Sequence, residues 1–165
     1  MSSSTPEAFT AVVITVSDSC ARGERADLSG PAVAKVLKQR EFCIVGSAVV
    51  ADERPAIQQA ISHWAGKAEF VVTTGGTGIA ERDVTPEATK AVCQRLLDGV
   101  AERMRSEGTK KTRFAALSRG VCGVCGKSLI LNLPGSPNGA VQSLESVIDV
   151  IPHALELLSG NTRHE

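Results

Sequence analysis

A chain of 165 residues, 42% hydrophobic and 22% charged, has the make-up of one globular domain with a buried core. Eighteen basic residues cancel eighteen acidic ones, which excludes nucleic acid or a membrane surface as a partner recruited by bulk charge. Any anionic ligand must be caught by a local site.

Ala11 to Val16 is a β-branched apolar run and predicts a buried strand. Ser17 to Ser29 is polar and predicts a loop. Pro31 opens a helix to about Arg40, with Val33, Val36 and Leu37 on one face. Cys43 to Val50 predicts the second strand, and Arg54 to about Lys67 the second helix, with Ile57, Ile61 and Trp64 three or four apart. Phe70 to Thr74 predicts the third strand. After a Gly-rich loop, Thr85-Pro86-Glu87 opens a third helix carrying Ala91, Val92 and Leu96. In this reading Thr85 is the cap and Pro86 the first helical residue. Gly99 breaks that helix before a further helical piece around Val100 to Arg105. Gly120 to Val124 and Ser128 to Leu133 form two strands with a turn at Cys125-Gly126-Lys127, too short for anything but an antiparallel pair. A loop over Pro134 to Gly139 leads into a helix with Val141, Leu144, Val147, Ile148 and Ile151 at helical spacing. Pro152 starts a last short helix ending near Gly160. Residues 1–5 and 161–165 read as frayed tails.

Strand–helix alternation predicts a mainly parallel sheet, and aromatics are too few (four Phe, one Trp, no Tyr) for a core built on anything but Val, Ile, Leu and Ala. The chain reads as a single domain over 1–165 with a core at about 11–158. No run approaches the roughly 18 apolar residues of a membrane span, the start lacks the basic and apolar parts of a secretory signal, and five cysteines are odd in number and scattered. A reducing cytoplasm is the expected location.

In a parallel sheet, ligands sit outside the carboxyl ends of the strands. Asp18 follows the first strand, Asp52 the second, a Gly loop with Asp83 the third, and Pro134-Gly135-Ser136 the last. Gly75-Gly76-Thr77-Gly78 can present backbone N–H groups to a phosphate, or can simply turn tightly. It is not a dinucleotide fingerprint, because Glu81 stands where the third glycine belongs. Asp52 and Asp83 are the carboxylates suited to Mg²⁺, which takes hard oxygens and shares them with substrate phosphates. Equally, Asp52 suits an N-cap and Asp83 a solvated loop.

Two motifs mislead. GVCGVCGKS, Gly120 to Ser128, looks like a phosphate-binding P-loop, but Val121 occupies the place of its first glycine and the segment predicts a hairpin. Lys127 then belongs to an exposed turn. Cys122-x-x-Cys125 has no second pair at zinc spacing and does not open a helix, so the cysteines read as incidental.

TVSDS, TTGGTG, RDVTPEAT and LNLPGSP, in this order, resemble the molybdopterin adenylyltransferase family, the MogA/MoaB group that includes the gephyrin G domain. The resemblance runs from about Ala11 to Leu158. It implies a three-layer α/β/α fold with a mainly parallel sheet and a small antiparallel hairpin, commonly trimeric. It implies that Mg²⁺ and ATP adenylylate the terminal phosphate of molybdopterin, releasing pyrophosphate, with a separate molybdenum-insertion enzyme downstream. It implies catalytic and Mg²⁺-binding roles for Asp52 and Asp83. Gly75, Gly76, Thr77, Gly78, Pro134, Gly135 and Ser136 would meet the nucleotide, and Ser17, Asp18, Ser19, Arg82 and Thr85 the substrate. Many relatives carry arginine where Cys125 stands. That departure leans toward the alternative, a molybdopterin-binding scaffold without turnover.

Overall fold

A computed structural model describes residues 7–161. The tail readings at 1–5 and 162–165 fall outside the described residues. Six strands form one sheet in the order β2-β1-β3-β6-β5-β4. They are β1 (Thr10–Val16), β2 (Cys43–Val50), β3 (Phe70–Thr74), β4 (Arg95–Leu96), β5 (Cys122–Cys125) and β6 (Ser128–Leu133). β2, β1, β3 and β6 are parallel; β5 and β4 are antiparallel additions at one edge.

Side chains alternate across β1, β3 and β6, and each face meets its own helices. Val13, Phe70, Val72, Leu129, Leu131 and Leu133 share one core with Leu37, Leu144 and Ile151. These come from α2 (Ser29–Gln39), α6 (Pro137–Val147) and α7 (Ile151–Leu158), with Met104 from α5 (Asp98–Thr109). Val12, Ile14, Val16, Val71 and Ile130 share the other core with Ile57 and Ile61 of α3 (Arg54–Ala65) and Ala88 of α4 (Thr85–Val92). Three layers result, as expected. Each fully buried Val, Leu or Ile stabilises the sheet by about 1.5–3 kcal/mol, so loops at the strand ends can vary against a rigid support.

The structure departs from the sequence expectations where tertiary contacts outweigh local pattern. A single turn, α1 (Asp18–Ala21), occupies the start of the expected loop, capped by Ser17 Oγ accepting from the Cys20 N–H. α2 begins at Ser29, ahead of Pro31. The third helix ends at Val92, and Leu96 lies in β4 instead, because Gln94 and Leu97 donate to the Val124 and Cys122 carbonyls of the open β5 edge. Gly99 does not separate two helices; it lies in the first turn of α5, where no neighbour crowds it. α6 stops at Val147, and a 3-10 turn at Ile148–Val150 precedes α7. A second 3-10 turn at Arg113–Leu117 falls where no element was expected. The hairpin turn narrows to Gly126-Lys127, with Gly126 at φ +61°.

Candidate active site

β1 feeds α2 on one face of the sheet, whereas β3 leads to α4 on the other. The chain therefore parts at the carboxyl ends of β1 and β3, the place where parallel sheets open a crevice. Ser17 donates its N–H to the Val50 carbonyl at 2.9 Å, and Gly75 donates to Leu133 at 3.0 Å. These bonds bring all four parallel strand ends to one rim. Every residue expected in the site is on this rim.

Asp18 and Asp52 are locked together. The Asp18 N–H donates to Asp52 Oδ2 at 2.9 Å, and the Asp52 N–H donates to Asp18 Oδ1 at 3.0 Å. Asp52 is therefore no helix cap; Glu53 precedes α3. Burial pushes the Asp52 carboxyl above its ordinary value, and the neighbouring carboxylates of Asp18 and Asp83 add to the rise. Arg82 grips Asp18 with Nε and Nη2, both at 2.8 Å. That hydrogen bond holds Asp18 below the usual carboxylate range. Both residues were expected to meet substrate, and here each is engaged by the other. Ser17 and Ser19 pair through their hydroxyls at 3.2 Å.

The Gly loop is shaped by contacts that exclude a side chain. Gly75 (φ +96°) and Gly76 (φ +67°) have left-handed backbones, and a Cβ would collide with the Val16 carbonyl at the first and the Thr85 hydroxyl at the second. A Cβ at Gly78 would come within 2.7 Å of Asp83 Oδ2. Thr85 is fully buried, and its hydroxyl donates to the Gly75 carbonyl at 3.0 Å. It is the first residue of α4 rather than its cap, Pro86 the second, and its hydroxyl ties the loop's neck instead of facing ligand. Asp83 Oδ2 accepts from the Ala80 N–H at 3.0 Å. Among the described residues, nothing accepts from the amides of Gly76, Thr77 or Gly78. Three N–H groups are thus available to an anion.

Two clefts flank this loop. One, of about 360 Å³, is polar and holds Asp52, Asp83, Gly75, Gly76, Gly135 and Ser136, floored by Thr15, Ser29 and Thr74 with Asp27. Thr15 donates to Asp27 at 2.7 Å, and the Ser29 and Thr74 hydroxyls pair at 2.9 Å. The other, of about 460 Å³, is more apolar and lies between Thr77, Gly78, Pro134 and Ser136 on one side and Phe114, Leu117 and Ser118 on the other. Both lie within the roughly 300–1,000 Å³ typical of small-molecule sites. The second cleft and the Thr15–Asp27 floor escaped the sequence reading. Their only trace was exposed-type apolar residues in the unassigned segment before Arg119, now 63% exposed at Phe114 and 51% at Leu117.

Among the described residues, no three His, Cys, Asp or Glu side chains gather as a metal cluster. The two carboxylates nonetheless suit Mg²⁺. Asp52 and Asp83 each give one oxygen to a backbone amide and keep Oδ1 free, and burial of Asp52 beside two other carboxylates calls for a cation.

The rejected motifs sit elsewhere. The Gly120–Ser128 segment forms the expected hairpin, and Cys125 pairs with Ser128 at the amino end of β6, the opposite end of the strands from Gly75. Burial pushes the Cys122 thiol up to about 12 and the Cys93 thiol to about 11, which makes both poor nucleophiles.

Residues 12–153 match the family described as "Probable molybdopterin binding domain". The chain belongs to this family. A relative from Helicobacter pylori, named molybdopterin adenylyltransferase, is 43% identical over 156 residues, covering 90% of this chain and 87% of that protein. The molybdenum cofactor synthesis protein cinnamon of Drosophila melanogaster is 38% identical over 159 residues; the match covers 94% of this chain but only 26% of that longer protein. The crystal structure of the molybdopterin biosynthesis enzyme MoaB from Thermus thermophilus superposes with a TM-score of 0.87 at 49% identity, covering 92% of this chain and 97% of that one. The family accounts for the three-layer fold with its antiparallel edge hairpin.

Proposed function

We propose that this protein is a molybdopterin adenylyltransferase: it transfers AMP from ATP to the terminal phosphate of molybdopterin and releases pyrophosphate. The observation that carries the proposal is the meeting, at one fork of the sheet, of three unengaged loop amides with the free oxygens of Asp52 and Asp83. The named activity of the Helicobacter pylori relative supports it.

In this reading a phosphate oxygen of molybdopterin attacks the α-phosphorus of ATP, and the bond to the β-phosphate bridging oxygen breaks. The attacking oxygen is already anionic, so no side-chain base is required. The chain's work is positioning and charge stabilisation. The amides of Gly76, Thr77 and Gly78 meet charge that develops on the transferring phosphate. Ser136 lines both clefts, with Pro134 on one and Gly135 on the other, so that reactants held on either side bring their phosphates to one ridge. Asp52 and Asp83 would hold Mg²⁺, and the metal would supply charge neutralisation to the phosphates. Ser17, Ser19 and the Asp18–Arg82 pair border the substrate's path.

We further propose a cytoplasmic homotrimer that hands its product to a molybdenum-insertion enzyme. In support of self-association, Val45 (41% exposed) and Val49 (44%) leave apolar surface uncovered on the edge strand β2. No described helix is long and apolar enough to cross a membrane. The arginine-to-cysteine departure at Cys125 lies at the amino end of β6, away from the strand ends that carry the Gly loop, which favours the enzymatic reading over the scaffold.

Purified protein, molybdopterin, ATP and Mg²⁺ should yield adenylylated pterin and pyrophosphate, detected by mass spectrometry and an enzymatic pyrophosphate assay. Tight pterin binding with both reactants unchanged would leave the scaffold in its place.

A further inference from the structure

Arg119 lies outside the motifs the site is built from, yet it braces the loop between Gly75 and Thr85 from the side away from the Thr85 neck. Its backbone N–H donates to the Thr77 carbonyl at 2.8 Å. Its guanidinium then reaches into the loop: Nε donates to the Gly78 carbonyl and Nη2 to the Asp83 carbonyl, both at 2.7 Å, while Nη1 pairs with Glu87 in the first turn of α4. Two carbonyls five residues apart would repel one another without a cation between them. Glu87 is held below the usual carboxylate range by the same contact, and its second oxygen is buried without a partner among the described residues. Glu87 therefore depends on Arg119 for its compensation.

We infer that Arg119 is a positioning residue for adenylyl transfer, fixing the curvature of the Gly78–Asp83 segment so that the Asp83 carboxylate faces the polar cleft, with Glu87 orienting the guanidinium. The inference rests on the adenylyltransferase reading of this site. Only a planar fork with several N–H groups can span Gly78, Asp83 and Glu87 together; a lysine ammonium is a point charge and cannot. Arg119→Lys keeps the charge and loses the geometry.

The test uses the full chain with Arg119→Lys and, beside it, Glu87→Gln, which leaves both loop carbonyl bonds in place. Two readouts are taken: the Mg²⁺ concentration that half-saturates pyrophosphate release, and hydrogen exchange at the Ala80 and Asp83 amides, which donate inside the loop. Arg119→Lys is expected to raise the half-saturating Mg²⁺ about ten-fold or more, the scale on which small misplacements of a catalytic group act. It should speed exchange at Ala80 and Asp83 while β3 amides and the melting temperature barely move. Glu87→Gln should shift both readouts the same way by less. Wild-type Mg²⁺ dependence and wild-type exchange in Arg119→Lys would overturn the inference, as would faster exchange spread evenly into β3. Exchange is read without substrate, so wild-type protein that fails to turn over ATP would sink the enzymatic reading while leaving the loop measurement intact.

Discussion

Asp18 and Asp52 hold one another by exchanged hydrogen bonds, each backbone N–H donating to the other's carboxylate at 2.9 and 3.0 Å. The exchange ties the ends of β1 and β2 together and fixes where Asp52 presents its free oxygen. It also forces a half-buried carboxylate to stay close to two others, a cost that the charge of Arg82 offsets only in part.

That cost predicts opposite effects of Asp52→Asn on stability and on activity. The folded-state pKa of Asp52 is raised above its ordinary value of 3.8, first by burial. Stability from its neutral form is fully present below the unfolded value and is lost as pH rises through the folded one. At neutral pH the charged form burdens the fold, and an amide of the same shape relieves it. Asp52→Asn should therefore melt higher than wild type at pH 7 in the absence of Mg²⁺, while adenylylation falls by on the order of 100-fold. Differential scanning calorimetry and a turnover assay on one preparation check both; a lower melting temperature would contradict the electrostatic account.

The same shift predicts how metal demand follows pH. Protons compete with Mg²⁺ for Asp52 up to a higher pH than for an ordinary carboxylate. The half-saturating Mg²⁺ concentration should fall as pH rises above the usual carboxylate range and then level off. Asp18 runs the other way: Arg82 lowers its pKa, so its contribution is present above the unfolded value and is lost as pH falls through the folded one. A flat Mg²⁺ requirement across that range would remove Asp52 from the metal site.

Gly76→Ala and Gly78→Ala should fail differently. At Gly76 the left-handed backbone and the Thr85 hydroxyl both oppose a Cβ. The cost is about 1–3 kcal/mol of strain, or roughly 2–4 °C in melting temperature per kcal/mol for a domain of this size. Gly78 has no such backbone demand; its added methyl meets only the Asp83 carboxylate, 2.7 Å away. Gly78→Ala should melt close to wild type yet lose most turnover through displaced Asp83. Equal melting losses in the two variants would show that the loop contacts do not divide this way.

Cys125→Arg should leave kcat/KM within about two-fold of wild type, because position 125 ends β5 beside the amino end of β6, the opposite end of the strands from the Gly loop, and substitutions away from the working parts of a protein have small effects. A gain or loss of ten-fold in steady-state kinetics would bring that end of the sheet back into the site.

The strands that build the rim were legible because their apolar runs are long and β-branched, and Asp18, Asp52, Asp83 and Ser136 were found by the place they take after those runs. Arg95–Leu96 was not legible as a strand. Two residues carry no period, and only the open edge of β5 makes them one. Thr85 was read as a helix cap because a hydroxyl before Pro-Glu looks like one, whereas it is the first residue of α4 and its hydroxyl donates to a carbonyl ten residues back. The role of Arg119 was not legible: two of its side-chain partners are backbone carbonyls, 41 and 36 residues away, which no residue type advertises.

In the proposed reaction, Asp83 and the Gly loop act on the α-phosphate of ATP. The most direct measurement follows ATP labelled at the α-phosphorus, mixed with molybdopterin and Mg²⁺, in wild type and in Asp83→Asn. The account predicts that the label moves to the pterin in wild type, one pyrophosphate per transfer, and stops when Mg²⁺ is chelated. In Asp83→Asn, folded as judged by an unchanged melting curve, transfer should drop by on the order of 100-fold. Label remaining in ATP with wild-type protein, or moving as fast in Asp83→Asn, would contradict it.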